Sequence, residues 1–399
     1  MIMLIAKVND KEINLLPEMS NRHGLIAGST GSGKTVSLQV IAEHFSRIGV
    51  PVFMPDVKGD LGGMMFEGEA TDEITNRLAQ LHIENFEFDD NPVYFWSIYN
   101  NDDDYLLNDS DEDGRPMKTT IAKLSPTLLT RILGLSSVQE GSLYQIFQIM
   151  SDYNIALNDI EDLNSTIRYL TENAELFEEK YGKISSQSFG AIQRSMLMLL
   201  EGGNDVLFSK EGAFDVTKLL ELEDGKGIIN ILEATQLIQS PKVYAVFLLW
   251  LLGELYTTLP EAGDLDKPKL VFFFDEAHLL FNDAPKVLVD KVEQLIKLIR
   301  SKGVGIFFVT QTPEDIPSSI LNQLGNRIIH SMRAYTPVSL KGIRAIAQTM
   351  RSDNTLDIEK AITELKIGEA LISLLQEDGS PMITQRALVV PPHSMIGCY

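Results

Sequence analysis

The chain has 399 residues, 44% of them hydrophobic, with 34 Lys and Arg against 56 Asp and Glu, a net charge of −22. That composition describes a globular chain able to bury a large core, and a surface that on average repels nucleic acid unless basic residues concentrate in a small area. The single cysteine, Cys398, excludes intrachain disulfides and cysteine-rich metal sites.

The N-terminus lacks a basic region, a long apolar run and a small-residue cleavage site, so no secretory signal is read. Residues 2–16 alternate apolar and polar around Asn9-Asp10, which predicts a short hairpin. The apolar run Leu25-Ile26-Ala27 then leads into Gly28-Ser29-Thr30-Gly31-Ser32-Gly33-Lys34-Thr35 and an amphipathic helix to about residue 47. These eight residues match G-x-x-x-x-G-K-[ST], the P-loop. Gly28, Gly31 and Gly33 let backbone N–H groups curl around a polyphosphate, and the following helix turns the positive end of its dipole toward it. Lys34 is expected on the β- and γ-phosphates of a nucleotide, and the Thr35 hydroxyl on Mg²⁺. A glycine-rich turn joining a strand to a helix is the plainer alternative, but all four fixed positions occur here in the expected setting.

After the break at Gly49, Pro51–Asp56 reads as a buried strand ending in Asp56-Val57-Lys58-Gly59-Asp60. Acids at such a strand end touch the metal's water shell or cap the loop; both readings stand. From 64 to 225 the pattern changes. Val93–Tyr99 reads as a strand, Asp102–Asp104 and Asp109–Asp113 as a solvated acidic loop, and 125–134, 137–156, 160–179 and 186–201 as helices. This region is expected to be a largely α-helical insertion between an N-terminal part of the core, 1–63, and its remainder, 226–399.

The core resumes with a buried strand at Gly227–Leu232 and a long helix over 240–259. The latter includes the most membrane-like stretch, Val243 to Leu259, which is short for a span and carries Glu254, so a buried helix and a cytoplasmic protein with no membrane association are expected. Next, Leu270–Phe274 runs into Asp275-Glu276. Beside a P-loop, Asp275 is expected to hold the Mg²⁺ shell and Glu276 to act as general base on the attacking water. His278 reads as a packed structural histidine. A helix over 284–301 carries Arg300, and the buried strand Gly303–Thr310 delivers Gln311, expected to sense the γ-phosphate or orient the water, with a capping amide as the alternative. A helix near 318–325, a strand at Asn326–Arg333, and a closing C-terminal hairpin of Leu371–Leu375 with Met382–Val390 complete the chain.

Together GSTGSGKT, FFFDEAH, LIRSKGVGIFFVTQ and LGNRIIHSMR resemble the HerA–FtsK superfamily, over almost the entire chain. NRHGLIAG and PVFMPDVKGDLGG look most like the bacterial HerA-like proteins of the YjgR type. The resemblance implies an α/β fold with a RecA-like P-loop NTPase core, ATP hydrolysis, and a homo-oligomeric ring, usually hexameric, with each nucleotide at a subunit boundary. It implies that an arginine ahead of the P-loop strand, here Arg22, acts on the neighbour's nucleotide, and that Arg300 is a second such residue. Arg333 is a weaker match, and an ordinary surface ion pair is the alternative for each. The archaeal helicases carry an N-terminal β-barrel; with about twenty residues before the loop, this chain is expected to lack it, together with any nuclease docking that depends on it.

Three functions follow. The first is a ring-forming, ATP-driven motor whose track, by resemblance, is DNA, with a nuclease or other protein as a further partner. The second is a nucleotide-gated scaffold that recruits protein partners without translocation. The third is an ATPase with the same site that works on protein or membrane cargo.

Overall fold

The computed structural model describes residues 3–99, 114–201, 204–210, 212–263, 265–281, 286–333, 337–353 and 356–397. The acidic loop expected at Asp102–Asp104 and Asp109–Asp113, and Cys398, lie outside these residues. In chain order the main elements begin with β1 (Met3–Val8), β2 (Lys11–Leu15), β3 (Gly24–Ala27), α1 (Lys34–Arg47), β4 (Val52–Asp56), α2 (Asp72–Leu81) and β5 (Val93–Ser97). Five helices follow: α3 (Pro126–Leu133), α4 (Ser137–Asp152), α5 (Ile160–Glu172), α6 (Ala174–Tyr181) and α7 (Ser186–Glu201). Then come β6 (Ile229–Glu233), α8 (Pro241–Thr258), β7 (Leu270–Phe274), α9 (Lys286–Ile299), β8 (Val304–Thr310) and β9 (Asn326–His330). The last are α10 (Pro337–Thr349), α11 (Ile358–Glu364), β10 (Glu369–Ser373) and β11 (Gln385–Val389).

The chain forms two compact units: Met1–Phe95 with Val216–Thr235 and Leu255–Tyr399, and Trp96–Asp215 with Gln236–Glu254. In the first, the strands run β2-β1-β11-β10-β9-β3-β8-β7-β4-β6. From β9 to β6 every neighbouring pair is parallel; β10, β11, β1 and β2 extend that centre antiparallel. Buried on both faces, the parallel strands need no alternation, which is why FFF and GIFFV read as unbroken apolar runs. One face of β7 and β8 stacks Phe273 on Phe307, centroids 5.3 Å apart, with Phe45 of α1 leaning on the pair. The other face stacks Phe274 on Phe308 at 5.5 Å. Each such side chain contributes roughly 1.5–3 kcal/mol on burial.

The expected N-terminal hairpin is β1–β2, turning at Asn9 with φ 52°. The expected C-terminal hairpin is β10–β11, and β11 also pairs with β1, so both chain ends join one sheet. Among the described residues, α2, capped by Thr71, α10, α11 and the short helix His278–Phe281 were not anticipated. Near 318–325 only Ser318–Leu321 is α-helical.

The second unit is built on α3 to α7, with α7 packed on α3, α4 and α5 and Leu143, Ile146, Ile167 and Ile192 fully buried. The local signals are explicit: Ser125 caps α3 ahead of Pro126, Gly134 closes it with φ 64°, and Ser136 and Gln139 form a capping box on α4. The single helix expected over 160–179 is two. Asn173 breaks it, its side-chain amide donating 2.9 Å to the Tyr169 carbonyl, a local alternative to continued helix. No described helix is long and apolar enough to cross a membrane.

Candidate active site

Parallel strands bring their carboxyl ends to one edge, and the strand order decides which ends are neighbours. β8 lies between β3 and β7, so Gln311 stands between the P-loop and the Asp275-Glu276 pair. The Thr30 hydroxyl donates to Gln311 Oε1 at 3.1 Å, and Gln311 Nε2 donates to Glu276 Oε1 at 3.1 Å. A single amide thus joins the loop to the acids.

The loop is shaped by its glycines. A Cβ on Gly28 would lie 2.6 Å from His330 Cβ, whereas around Gly31, at φ 74°, space is open and only the backbone conformation demands glycine. His330 is fully buried beneath the loop, accepting from Ser37 Oγ at 2.8 Å and donating to the Glu369 carbonyl at 3.1 Å, and burial lowers its pKa to about 4. Gly33 precedes α1 at φ 110°, and Ser32 Oγ donates to the Ser29 carbonyl at 2.7 Å. Lys34 Nζ donates to the carbonyls of Gly28 at 2.6 Å and Ser29 at 3.0 Å. Burial and the nearby Lys58 lower its pKa, while Asp275 and Glu276 oppose the shift, so loop and acids share one field. Thr35 is half-buried in the first turn of α1.

Glu276 is held in the left-handed region, φ 47°, uncommon for a residue with a Cβ and of a kind that clusters at functional sites. Its N–H donates to Asp275 Oδ1 at 2.8 Å. Its Oε2 is buried without a hydrogen bond, with His278 Nδ1 at 3.3 Å. His278, read as a packed structural histidine, lies against the expected base.

Lys58 is the residue the sequence reading passed over. Its Nζ lies 3.1 Å from Asp275 Oδ2 and 3.0 Å from Glu276 Oε1. Burial alone would lower the Lys58 pKa, but the two acids outweigh it and raise it. Burial raises Asp275 against the pull of Lys58; at Glu276 the hydrogen bonds from Lys58 and Gln311 outweigh burial and lower it. Asp56, for which two readings stood, caps its loop: Oδ1 accepts the N–H groups of Lys58, Gly59 and Asp60, and Oδ2 that of Leu61. A lysine on a loop leaving the strand next to β7 was the available signal, legible only once β4 and β7 are known to be neighbours.

No described group of three or more His, Cys, Asp or Glu could hold a metal by itself. A hydroxyl at Thr35 and a carboxylate at Asp275 do suit Mg²⁺, a hard cation that keeps waters and takes one or two carboxylates together with substrate phosphates. The residues thus fit a metal brought by a nucleotide.

The arginines lie elsewhere. Arg22 ends the turn Pro17–Arg22 ahead of β3, and Arg300 precedes β8, so both occupy the amino edge of the parallel strands. The four-residue β3 alone separates that edge from the loop by roughly 13 Å. The Arg22 guanidinium lies at the tip of the β10–β11 hairpin, where a Cβ on Gly379 would meet its Nη1 at 2.4 Å. Arg333 is on the loop side, its N–H donating 3.1 Å to Ser29 Oγ, and it lines a cavity of about 430 Å³ with Thr30, Gln311 and Glu314.

Comparison with known proteins accords with this geometry. Probable helicase MJ1565 of Methanocaldococcus jannaschii is 22% identical over 91% of this chain and 62% of its own. The DNA double-strand break repair helicase HerA of Sulfolobus acidocaldarius is 21% identical over 92% and 65%. The chain spans 35% to 65% of the length of such relatives. Among solved structures, VirB4 of Thermoanaerobacter pseudethanolicus superposes with a TM-score of 0.59 at 13% identity, covering 98% of this chain and 96% of that one. The plasmid coupling protein TrwB in complex with ADP and Mg²⁺ gives 0.55 at 12%, covering 95% and 90%. The fold is thus that of the RecA-like P-loop ATPases. The family model described as helicase HerA-like C-terminal matches residues 2–399, and the chain belongs to that family.

Proposed function

We propose that this protein hydrolyses ATP and works as a ring-forming motor of the HerA type, with DNA as its track. The observation that carries the reading is the unbroken set Thr30–Gln311–Glu276–Lys58–Asp275, which joins a P-loop to a buried acid pair within one subunit. Backbone N–H groups of Gly28–Thr35 cradle the phosphates, and Lys34 leaves the carbonyls of its own loop for the β- and γ-phosphates. Thr35 and Asp275 would hold Mg²⁺, which would supply positive charge against the phosphates. Glu276, aimed by Gln311, accepts the proton of the attacking water as its oxygen bonds to the γ-phosphorus; the bond to the β-phosphate oxygen breaks and ADP leaves with the electron pair. Arg22 and Arg300 serve a neighbour's nucleotide in a homo-oligomeric, hexameric ring, a reading supported by their place ahead of the strands and away from their own loop. The helicases among the relatives favour DNA as track, with nuclease or other protein partners.

Turnover measured against protein concentration, with and without duplex DNA, tests the reading. Hydrolysis should rise with concentration and with DNA, and Glu276→Gln should bind ATP yet lose about 10²–10⁴ in turnover. Tight binding with slow turnover indifferent to DNA would instead establish a nucleotide-gated scaffold.

A further inference from the structure

We infer that Lys58 is the internal counter-cation of the Asp275–Glu276 pair and keeps it closed to free divalent metal until a nucleotide occupies the loop. This rests on the ATPase reading above, in which the acids serve a metal that arrives with phosphate.

The arrangement is built. Two consecutive carboxylates, with side chains only 13% and 6% exposed, face one ammonium at 3.1 and 3.0 Å. Leaving neighbouring acids in a desolvated site without a cation costs heavily, so something positive must sit there in every state. Lys58, its side chain 37% exposed, is delivered to the acids by a prepared loop. Asp56 spends both carboxylate oxygens on four successive N–H groups, Val57 is buried, and Gly59 turns the chain at φ 72°. The other nearby cation, Lys34, is committed to the carbonyls of Gly28 and Ser29. Lys58 is thus the lysine in direct contact with the pair, and the acids of its own loop, Asp56 and Asp60, add negative charge nearby.

A divalent ion entering alone must displace the Lys58 ammonium from Asp275. Polyphosphate changes this: it brings several negative charges, draws Lys34, and makes room for both the ion and the ammonium. The consequence is ordered loading, with nucleotide and metal entering together. A purely structural lysine would brace the loop but would not set metal affinity in the nucleotide-free protein.

Mn²⁺ binding, followed by electron paramagnetic resonance on the nucleotide-free full chain, tests this. Wild type and Lys58→Arg should bind Mn²⁺ weakly; Lys58→Met and Lys58→Gln should gain a site at least about tenfold tighter, and adding Asp275→Asn should remove it. Unchanged Mn²⁺ affinity in both neutral variants, or a gain that survives Asp275→Asn, overturns the assignment. If neither variant folds, the wild type decides: Mn²⁺ bound as tightly alone as with a non-hydrolysable ATP analogue overturns it, and binding that needs the analogue supports it. Analogue binding in the absence of metal separates the premises. A wild type that never binds the analogue refutes the ATPase reading, while the Mn²⁺ comparison still judges Lys58.

Discussion

The two edges of the parallel sheet differ in what they can do alone. At the carboxyl edge Thr30, Gln311, Glu276, Lys58 and Asp275 form one network of direct contacts, with Lys34 held on the carbonyls of the loop beside it. At the amino edge Arg22 and Arg300 stand ahead of their strands, one strand length from the loop. What the difference teaches is that position along a parallel strand decides which residues meet at the loop and which stand at the opposite edge of the sheet. Loop, acids and amide follow strands; the arginines precede them.

The sharpest way to break this comparison is to remove an amino-edge arginine. Arg22→Ala or Arg300→Ala should keep ATP affinity, read by fluorescent nucleotide titration, yet lose about 10³-fold or more in turnover. Mixing Arg22→Ala with Lys34→Ala chains should restore part of the activity, because each supplies what the other lacks. Full activity in the single variant would strike that arginine from the site.

Acid should weaken both edges together. His23 at the amino edge accepts from the Ile306 N–H at 3.0 Å and donates to the Ile296 carbonyl at 2.9 Å; His330 underlies the loop; His44 of α1 donates to the Leu4 carbonyl at 2.8 Å. Burial lowers each from 6.5 to about 4, favouring the neutral ring in the folded state. The contribution is complete above pH 6.5 and disappears as pH falls toward 4, about 3 kcal/mol per histidine. Denaturant melts between pH 7 and 4 should show that loss, and His330→Gln should reduce its slope.

The smallest effect sharpens the carboxyl edge. Asp56→Asn removes charge from a cap that accepts four N–H groups and should cost about 1–3 kcal/mol in chemical denaturation. It should also loosen Lys58 and thereby mimic, more weakly, the metal affinity of Lys58→Met. A destabilised variant with unaltered Mn²⁺ binding would show that the cap matters to the loop alone.

The residues of Gly28–Thr35, the acids after a phenylalanine run and both hairpins were legible in sequence, because their chemistry is local: glycine spacing admits a phosphate, an apolar run signals a strand buried on both faces, and a turn pair closes a hairpin. The kink at Asn173, the short helix at Ser318–Leu321 and the unanticipated α2, α10 and α11 were less so, since side-chain bonding and tertiary packing overrode or hid the periodicity. Strand order was beyond reach, and it alone seats Gln311 between loop and acids, lays Lys58 across two carboxylates 217 and 218 positions away, and puts Arg22 and Arg300 on the far edge. A motif is a property of neighbours along the chain; a counter-ion is a property of neighbours in space, and only the folded sheet decides those.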